Sequence, residues 1–141
     1  MKKAILALLA PAIAALAPLL HAAGKDGAPA IISRGERITI EDHIVPEKIT
    51  IFYFTSNYHP PCNRLAALLD KLHAQRDDIA VVKVDINRPH TRGIDWGSPV
   101  AQQYHLKSVP YFQIYNNAGK FSADGKAARA KINEWLNVIG D

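Results

Sequence analysis

Apolar and polar residues follow two rhythms along this chain. Lys48 to Thr55 (Lys-Ile-Thr-Ile-Phe-Tyr-Phe-Thr) is nearly all β-branched or aromatic, which predicts a strand buried on both faces. Ile79 to Ile86 (Ile-Ala-Val-Val-Lys-Val-Asp-Ile) predicts a second. Between them Leu65, Leu68, Leu69 and Leu72 recur at i, i+3, i+4, i+7, the stripe of an amphipathic helix. Pro61 suits the first position of that helix, and the pattern carries it to about Gln75. Asp77-Asp78 then marks a turn, and residues 87–97 form a long polar loop. Ser98 can cap a short helix that has Pro99 at its first position. Tyr111 to Tyr115 predicts a third strand, Asn116-Asn117-Ala118-Gly119 a hairpin turn, and Lys120 to Ser122 a short returning strand. Ala128, Ile132, Trp135, Leu136 and Ile139 predict a last helix over about Lys126 to Val138. Nearer the N-terminus, Arg37 to Val45 is β-rich but interrupted by Glu41-Asp42-His43, which predicts an edge strand.

The resulting order is β-β-α-β-α-β-β-α. A strand–helix–strand unit implies parallel pairing with a right-handed crossover, and the Asn-Asn-Ala-Gly turn implies an antiparallel pair. The expected fold class is therefore α/β, with a mixed central sheet flanked by helices on both faces.

Composition narrows the function classes. A chain of 141 residues suits one domain. Its 48% hydrophobic and 21% charged residues are a globular balance that excludes disordered and collagenous classes. The net charge of +4 is mild, and without a clustered basic face no nucleic-acid partner is expected. Cys62 is the single cysteine. It excludes an intrachain disulfide and an all-cysteine metal centre. Gly-rich phosphate loops and Ser/His/Asp signatures are absent, so no cofactor is expected.

The first residues read as a targeting segment. Met1-Lys2-Lys3 is basic, Ala4 to Leu20 carries no charge, and His21-Ala22-Ala23-Gly24 offers small residues for a signal peptidase. A spanning helix needs about 20 apolar residues without breakers, and Pro11 and Pro18 interrupt this run. The expected division is a signal peptide over 1–23, a flexible lead-in over 24–36 and a folded domain over 37–141. The pattern fits bacterial export to the periplasm or medium, with no stable membrane insertion after cleavage.

The segment Tyr53-Phe54-Thr55-Ser56-Asn57-Tyr58-His59-Pro60-Pro61-Cys62-Asn63-Arg64 resembles the active-site segment of thioredoxins. There a buried strand runs into C-x-x-C at a helix start. The likeness continues through Val81 to Asn87, through Gln103 to Tyr111 and through Asn117-Ala118-Gly119-Lys120. It covers about Arg37 to Ile139 and implies a thioredoxin-like fold. It also implies a cis-proline at Pro110 facing the active site. In the family, the residue before that proline, Val109 here, offers backbone hydrogen bonds to an extended substrate segment.

The departures from the family pattern carry the functional question. His59 stands where the first cysteine would be, Tyr53 where a strand aspartate would be, and Tyr58 where a tryptophan would be. A dithiol cycle needs an attacking thiolate and a resolving thiol. Only Cys62 remains, so conventional dithiol–disulfide oxidoreductase chemistry is not expected of the monomer. Cys62 then has three readings, with His59 as its partner in the last two: a packed, inert thiol; monothiol chemistry through mixed disulfides or sulfenic acid; or a copper or zinc ligand pair. The pair names no complete metal site, because His90 and His105 are further ligands by residue type only. A groove of Tyr58, His59, Pro60, Val109 and Pro110 could take a protein or peptide partner by strand-like pairing. Cys62 could also link two copies in a disulfide-bonded dimer. Lys83, matching a family lysine beside the missing aspartate, reads as a solvated strand-end residue. Trp96 reads as a loop anchor over the core or as part of a binding surface.

Overall fold

The computed structural model describes residue 25 and residues 27–140. The expected signal segment over 1–23 lies outside the described residues. The run of β-branched and aromatic residues becomes β2 (Ile49–Thr55), the central strand of a five-stranded sheet. Beside β2 lie β3 (Ile79–Asp85) and β4 (Tyr111–Tyr115), and β1 (Ala30–Ile32) and β5 (Phe121–Asp124) form the edges. β1, β3 and β2 run parallel, and β4 is antiparallel to both β2 and β5. The helices are α1 (Pro60–Gln75), α2 (Pro99–Gln103) and α3 (Gly125–Ile139).

The central strand sorts the core into two layers, because successive side chains point to opposite faces. Ile51 and Tyr53, with Phe112 and Ile114 opposite them on β4, face α1 and α3, which pack against each other. Phe52 and Phe54, with Tyr111 and Tyr115, face the other way, where Tyr104 just after α2 meets Phe54 edge-on at 4.8 Å. All of β2 beyond Ile49 is buried. Ser98 caps α2 as its sequence predicts, its hydroxyl accepting from the Ala101 N–H at 3.2 Å.

Three local expectations differ from what forms. Arg37 to Val45 is not an edge strand but contains a 3-10 turn over Ile40–His43. Glu41 and Asp42 are exposed there, while Ile40 is fully buried and the Tyr115 hydroxyl donates to Glu41 Oε1 at 3.1 Å. The edge belongs instead to residues 30–32, within the expected lead-in, which pair with Val82, Lys83 and Val84 of β3. Leu68 is 49% exposed. The buried stripe of α1 is Cys62, Leu65, Leu69, Leu72 and His73.

Gly35 ties the site end of the sheet together. Its N–H donates to the Asp85 carbonyl at 2.8 Å and its carbonyl accepts from the Val100 N–H at 3.1 Å. Its φ of +86° and an approach of 2.6 Å between a would-be Cβ and the Arg88 backbone nitrogen leave room only for glycine.

Candidate functional site

The site is built where β2 stops. Ser56 folds the chain back: its carbonyl accepts from the His59 N–H at 3.1 Å, and its hydroxyl from the Tyr58 N–H at 3.3 Å. The Asn63 side chain donates to the Asn57 carbonyl at 2.9 Å and pins the turn to the helix. His59 is thereby left as the extended residue before α1, with Pro60 and Pro61 in the first helical positions. Prolines suit those positions but carry no N–H. Two of the donors that a helix start ordinarily offers to an anion or thiolate are therefore missing.

His59 does not cap the helix backbone with its side chain. Its Nδ1 lies 3.2 Å from Cys62 Sγ instead. Cys62 heads the inward stripe of α1 and is 0% exposed. Beneath it, Tyr53 stacks on Phe112 at 5.2 Å and donates its hydroxyl to the Cys62 carbonyl at 2.5 Å. Burial pushes the Tyr53 phenol well above its ordinary value of 10.0, so it stays neutral and holds its proton in that bond. Tyr53 therefore braces α1 and takes no proton from the thiol.

Pro110 and Val109 stand at the same end of the sheet. Tyr111 pairs with Phe54, which brings Pro110 level with Thr55, where the Ser56–His59 turn begins. The Val109–Pro110 peptide is cis. Val109 is 7% exposed, and neither its N–H nor its carbonyl finds a hydrogen-bond partner among the described residues. Tyr58 is 53% exposed and Pro60 is exposed. Tyr58 and Pro110 line separate cavities. One of about 230 Å³ includes Tyr58, Arg34, Asp85, Arg88 and His90; another of about 220 Å³ includes Pro110, Tyr111, Phe112, Lys126 and Arg129. Burial raises the Asp85 carboxyl above its ordinary range.

Other singled-out residues have structural partners. Lys83 is not a solvated strand-end residue: it reaches across to Asp70 of α1 at 2.7 Å with its side chain 17% exposed. Register explains this, because Lys83 pairs with Tyr53 and shares its helix-facing side. The polar loop after β3 is held by Asp95, 5% exposed, which accepts from Arg88 Nε and Nη2 at 2.9 and 3.0 Å. Those bonds keep the Asp95 carboxyl below the usual carboxylate range. Trp96 is 39% exposed and outside the main core. His90 and His105 are both exposed. Among the described residues no group of three or more His, Cys, Asp or Glu converges on one point, so His59 and Cys62 form a two-donor set.

One group escaped sequence reasoning. His73, near the end of α1, is 4% exposed. Its Nδ1 accepts from the Val81 N–H at 2.9 Å, and its Nε2 donates to the Lys25 carbonyl at 3.2 Å. The available signal was spacing, since residue 73 falls four positions after Leu69 on the buried stripe.

The thioredoxin family model matches residues 38–138. The chain belongs to the thioredoxin family. Thioredoxin-3 of Dictyostelium discoideum is 26% identical over 97 residues, spanning 69% of this chain and 86% of that protein. Among solved structures, the short form of thioredoxin f from spinach chloroplast is 16% identical with a TM-score of 0.51, covering 82% of this chain and 96% of its own. Thioredoxin f2 of Chlamydomonas reinhardtii is 21% identical with a TM-score of 0.52, covering 75% and 94%. At those identities the structural likeness speaks for the thioredoxin fold alone. It matches the mixed sheet and helices found here.

Proposed function

We propose that this thioredoxin-like protein is an exported module with a degenerate H-P-P-C site, which captures extended or thiol-bearing protein segments and performs at most monothiol chemistry. The observation that carries this reading is Val109: a buried residue beside the His59 turn whose N–H and carbonyl have no partner among the described residues. Buried backbone groups are almost always paired, and an unpaired pair at a sheet end suits strand-like addition of a peptide. The single cysteine argues against dithiol turnover, because no second thiol is present to resolve a mixed disulfide. The uncharged stretch after Lys2-Lys3 supports export; mature protein beginning near Ala23 or Gly24 by N-terminal sequencing is the expected result. Titration with an extended peptide, followed by NMR of the backbone amides, tests capture. The Val109 amide should shift and gain protection from exchange, and no response there overturns the reading.

The full burial of Cys62 favours a second reading, a purely non-catalytic binding module. A buried thiol in apolar surroundings is inert, and a Cys62-linked dimer would require it to leave that position. Alkylation of the native protein separates the two. Modification at a measurable native rate supports monothiol chemistry; a thiol silent until denaturation supports binding alone.

A further inference from the structure

A cavity of about 220 Å³ lies beside Pro110. Its charged lining residues are Lys126 and Arg129, and no carboxylate lines it. Arg129 is half-buried and already oriented: its guanidinium lies 5.7 Å from the centre of the Phe112 ring, and its Nε donates to Asn133 Oδ1 at 3.2 Å. Its two terminal nitrogens have no hydrogen-bond partner among the described residues. Neither Lys126 nor Arg129 forms an ion pair among the described residues. The nearest acid in sequence, Asp124, accepts instead from the Tyr111 hydroxyl at 3.1 Å. The cavity wall is continuous with the site, since Phe112 stacks on Tyr53 and Tyr53 is bonded to the Cys62 carbonyl.

We infer that this cavity selects acidic segments: an Asp or Glu side chain of an extended partner, held along Val109, inserts beside Pro110 and pairs with Arg129 and Lys126. The inference rests on the binding reading above and adds the partner's charge to it. A guanidinium with its Nε already tied presents its remaining N–H groups in a fixed plane, the geometry that a carboxylate accepts. Holding the ring of Phe112 beneath it spares part of the side-chain entropy that a free surface arginine would lose on binding. The exposed Lys126 adds charge without geometry.

Peptides capped at both ends, so that side chains carry the only carboxylates, test this. Three matched extended sequences bearing Glu, Gln or Lys at the central position would be titrated into the full chain and followed by fluorescence anisotropy. The Glu peptide should bind roughly five- to tenfold tighter than the Gln peptide, the return expected of two partly exposed ion pairs. The advantage should vanish near 1 M salt, where the Debye length is about 3 Å. Lys126→Glu with Arg129→Glu should reverse the order in favour of the Lys peptide. Lys71→Glu with Lys120→Glu, the same charge change at exposed positions away from this cavity, should leave the order intact. Circular dichroism would verify that each variant folds. Equal affinity for Glu and Gln peptides overturns the inference while leaving capture at Val109 standing. Equal loss of preference in both double variants also overturns it, by reducing the effect to overall charge. Binding of none of the three overturns both readings.

Discussion

A histidine stands near each end of helix α1, His59 just before it and His73 in its last turn, and the two have opposite fates. At the C-terminal end His73 has both ring nitrogens committed, to the Val81 N–H and the Lys25 carbonyl, and is 4% exposed. The amide donor fixes Nδ1 as the acceptor, so the proton resides on Nε2 and the ring is neutral. At the N-terminal end His59 is half-buried, with Nδ1 beside the Cys62 thiol and no cap bond to the helix backbone. One imidazole is spent on holding α1 to β3; the other retains unused hydrogen-bonding capacity at the surface. The difference separates scaffold from site more clearly than residue type does.

The largest effect should come from the spent end. His73→Leu leaves the Val81 N–H without its acceptor in a buried setting and should cost about 2–3 kcal/mol by urea unfolding, since an orphaned buried donor carries its full desolvation penalty. The same contact should appear as pH dependence. Burial holds the His73 ring below its ordinary value of 6.5, partly offset by its bond to the Lys25 carbonyl; the Lys25 ammonium disfavours the ring's charge and Asp70 favours it. The unfolded chain therefore takes up the proton first as pH falls. Its stabilisation is complete above about pH 6.5 and is lost between there and the lowered folded value. A series of unfolding curves from pH 7.5 to 5 should show this decline, and His73→Leu should flatten it. An equal slope in both proteins would assign the pH dependence to other groups.

An intermediate effect sharpens the comparison at the site end. Tyr53→Phe removes the hydroxyl bond to the Cys62 carbonyl and keeps the ring stacked on Phe112. That carbonyl still accepts within the α1 ladder, so the loss should be about 1 kcal/mol by the same measurement. A loss as large as that of His73→Leu would mean that Tyr53 anchors the helix start as firmly as His73 anchors its end.

The contrast also shows what was legible beforehand. The core strands β2 and β3 were plain because strands buried on both faces must be apolar at successive positions. α1 was plain because its leucine stripe repeats over about two turns, although Leu68 entered the stripe on spacing alone and lies on the open side. β1 was not legible. Three residues cannot establish a period, and what makes Ala30–Ile32 a strand is the exposed edge of β3, a tertiary fact. The pairing of Lys83 with Asp70 and the commitment of His73 were hidden for the same reason, since each depends on which residue of another element lies opposite. At the site, the single cysteine and the His59–Cys62 spacing were readable. The bond from Tyr53 depended on how α1 packs on β2, and the cationic cavity beside Pro110 on how α3 packs on β4.

The smallest effect on stability should come from His59, and it should change the chemistry most. His59→Ala removes a half-buried ring that makes no backbone bond, so unfolding free energy should shift by no more than about 0.5 kcal/mol. The imidazole covers the Cys62 thiol at 3.2 Å; without it, alkylation of the native protein should accelerate severalfold over the natural chain. A thiol that remains silent until denaturation would assign its protection to the packing of α1 on Tyr53 instead. His59→Cys carries the same logic further. The side chains at 59 and 62 already converge, and a disulfide asks for a Cα separation of about 4.4–6.8 Å, which residues three apart at a helix start can meet. The variant should form a reversible disulfide with Cys62, visible as the loss of two titratable thiols on mild oxidation. Its turnover of a protein disulfide with a dithiol reductant should nonetheless be slow, because Tyr53 supplies no base and Pro60 and Pro61 supply no N–H to a thiolate. The natural chain should give none. If the natural chain turns over disulfides and Cys62→Ala abolishes it, the buried thiol is a working nucleophile and the degenerate-site reading fails. If the introduced cysteine sits in a folded protein and cannot reach Cys62, His59 does not occupy the attacking position.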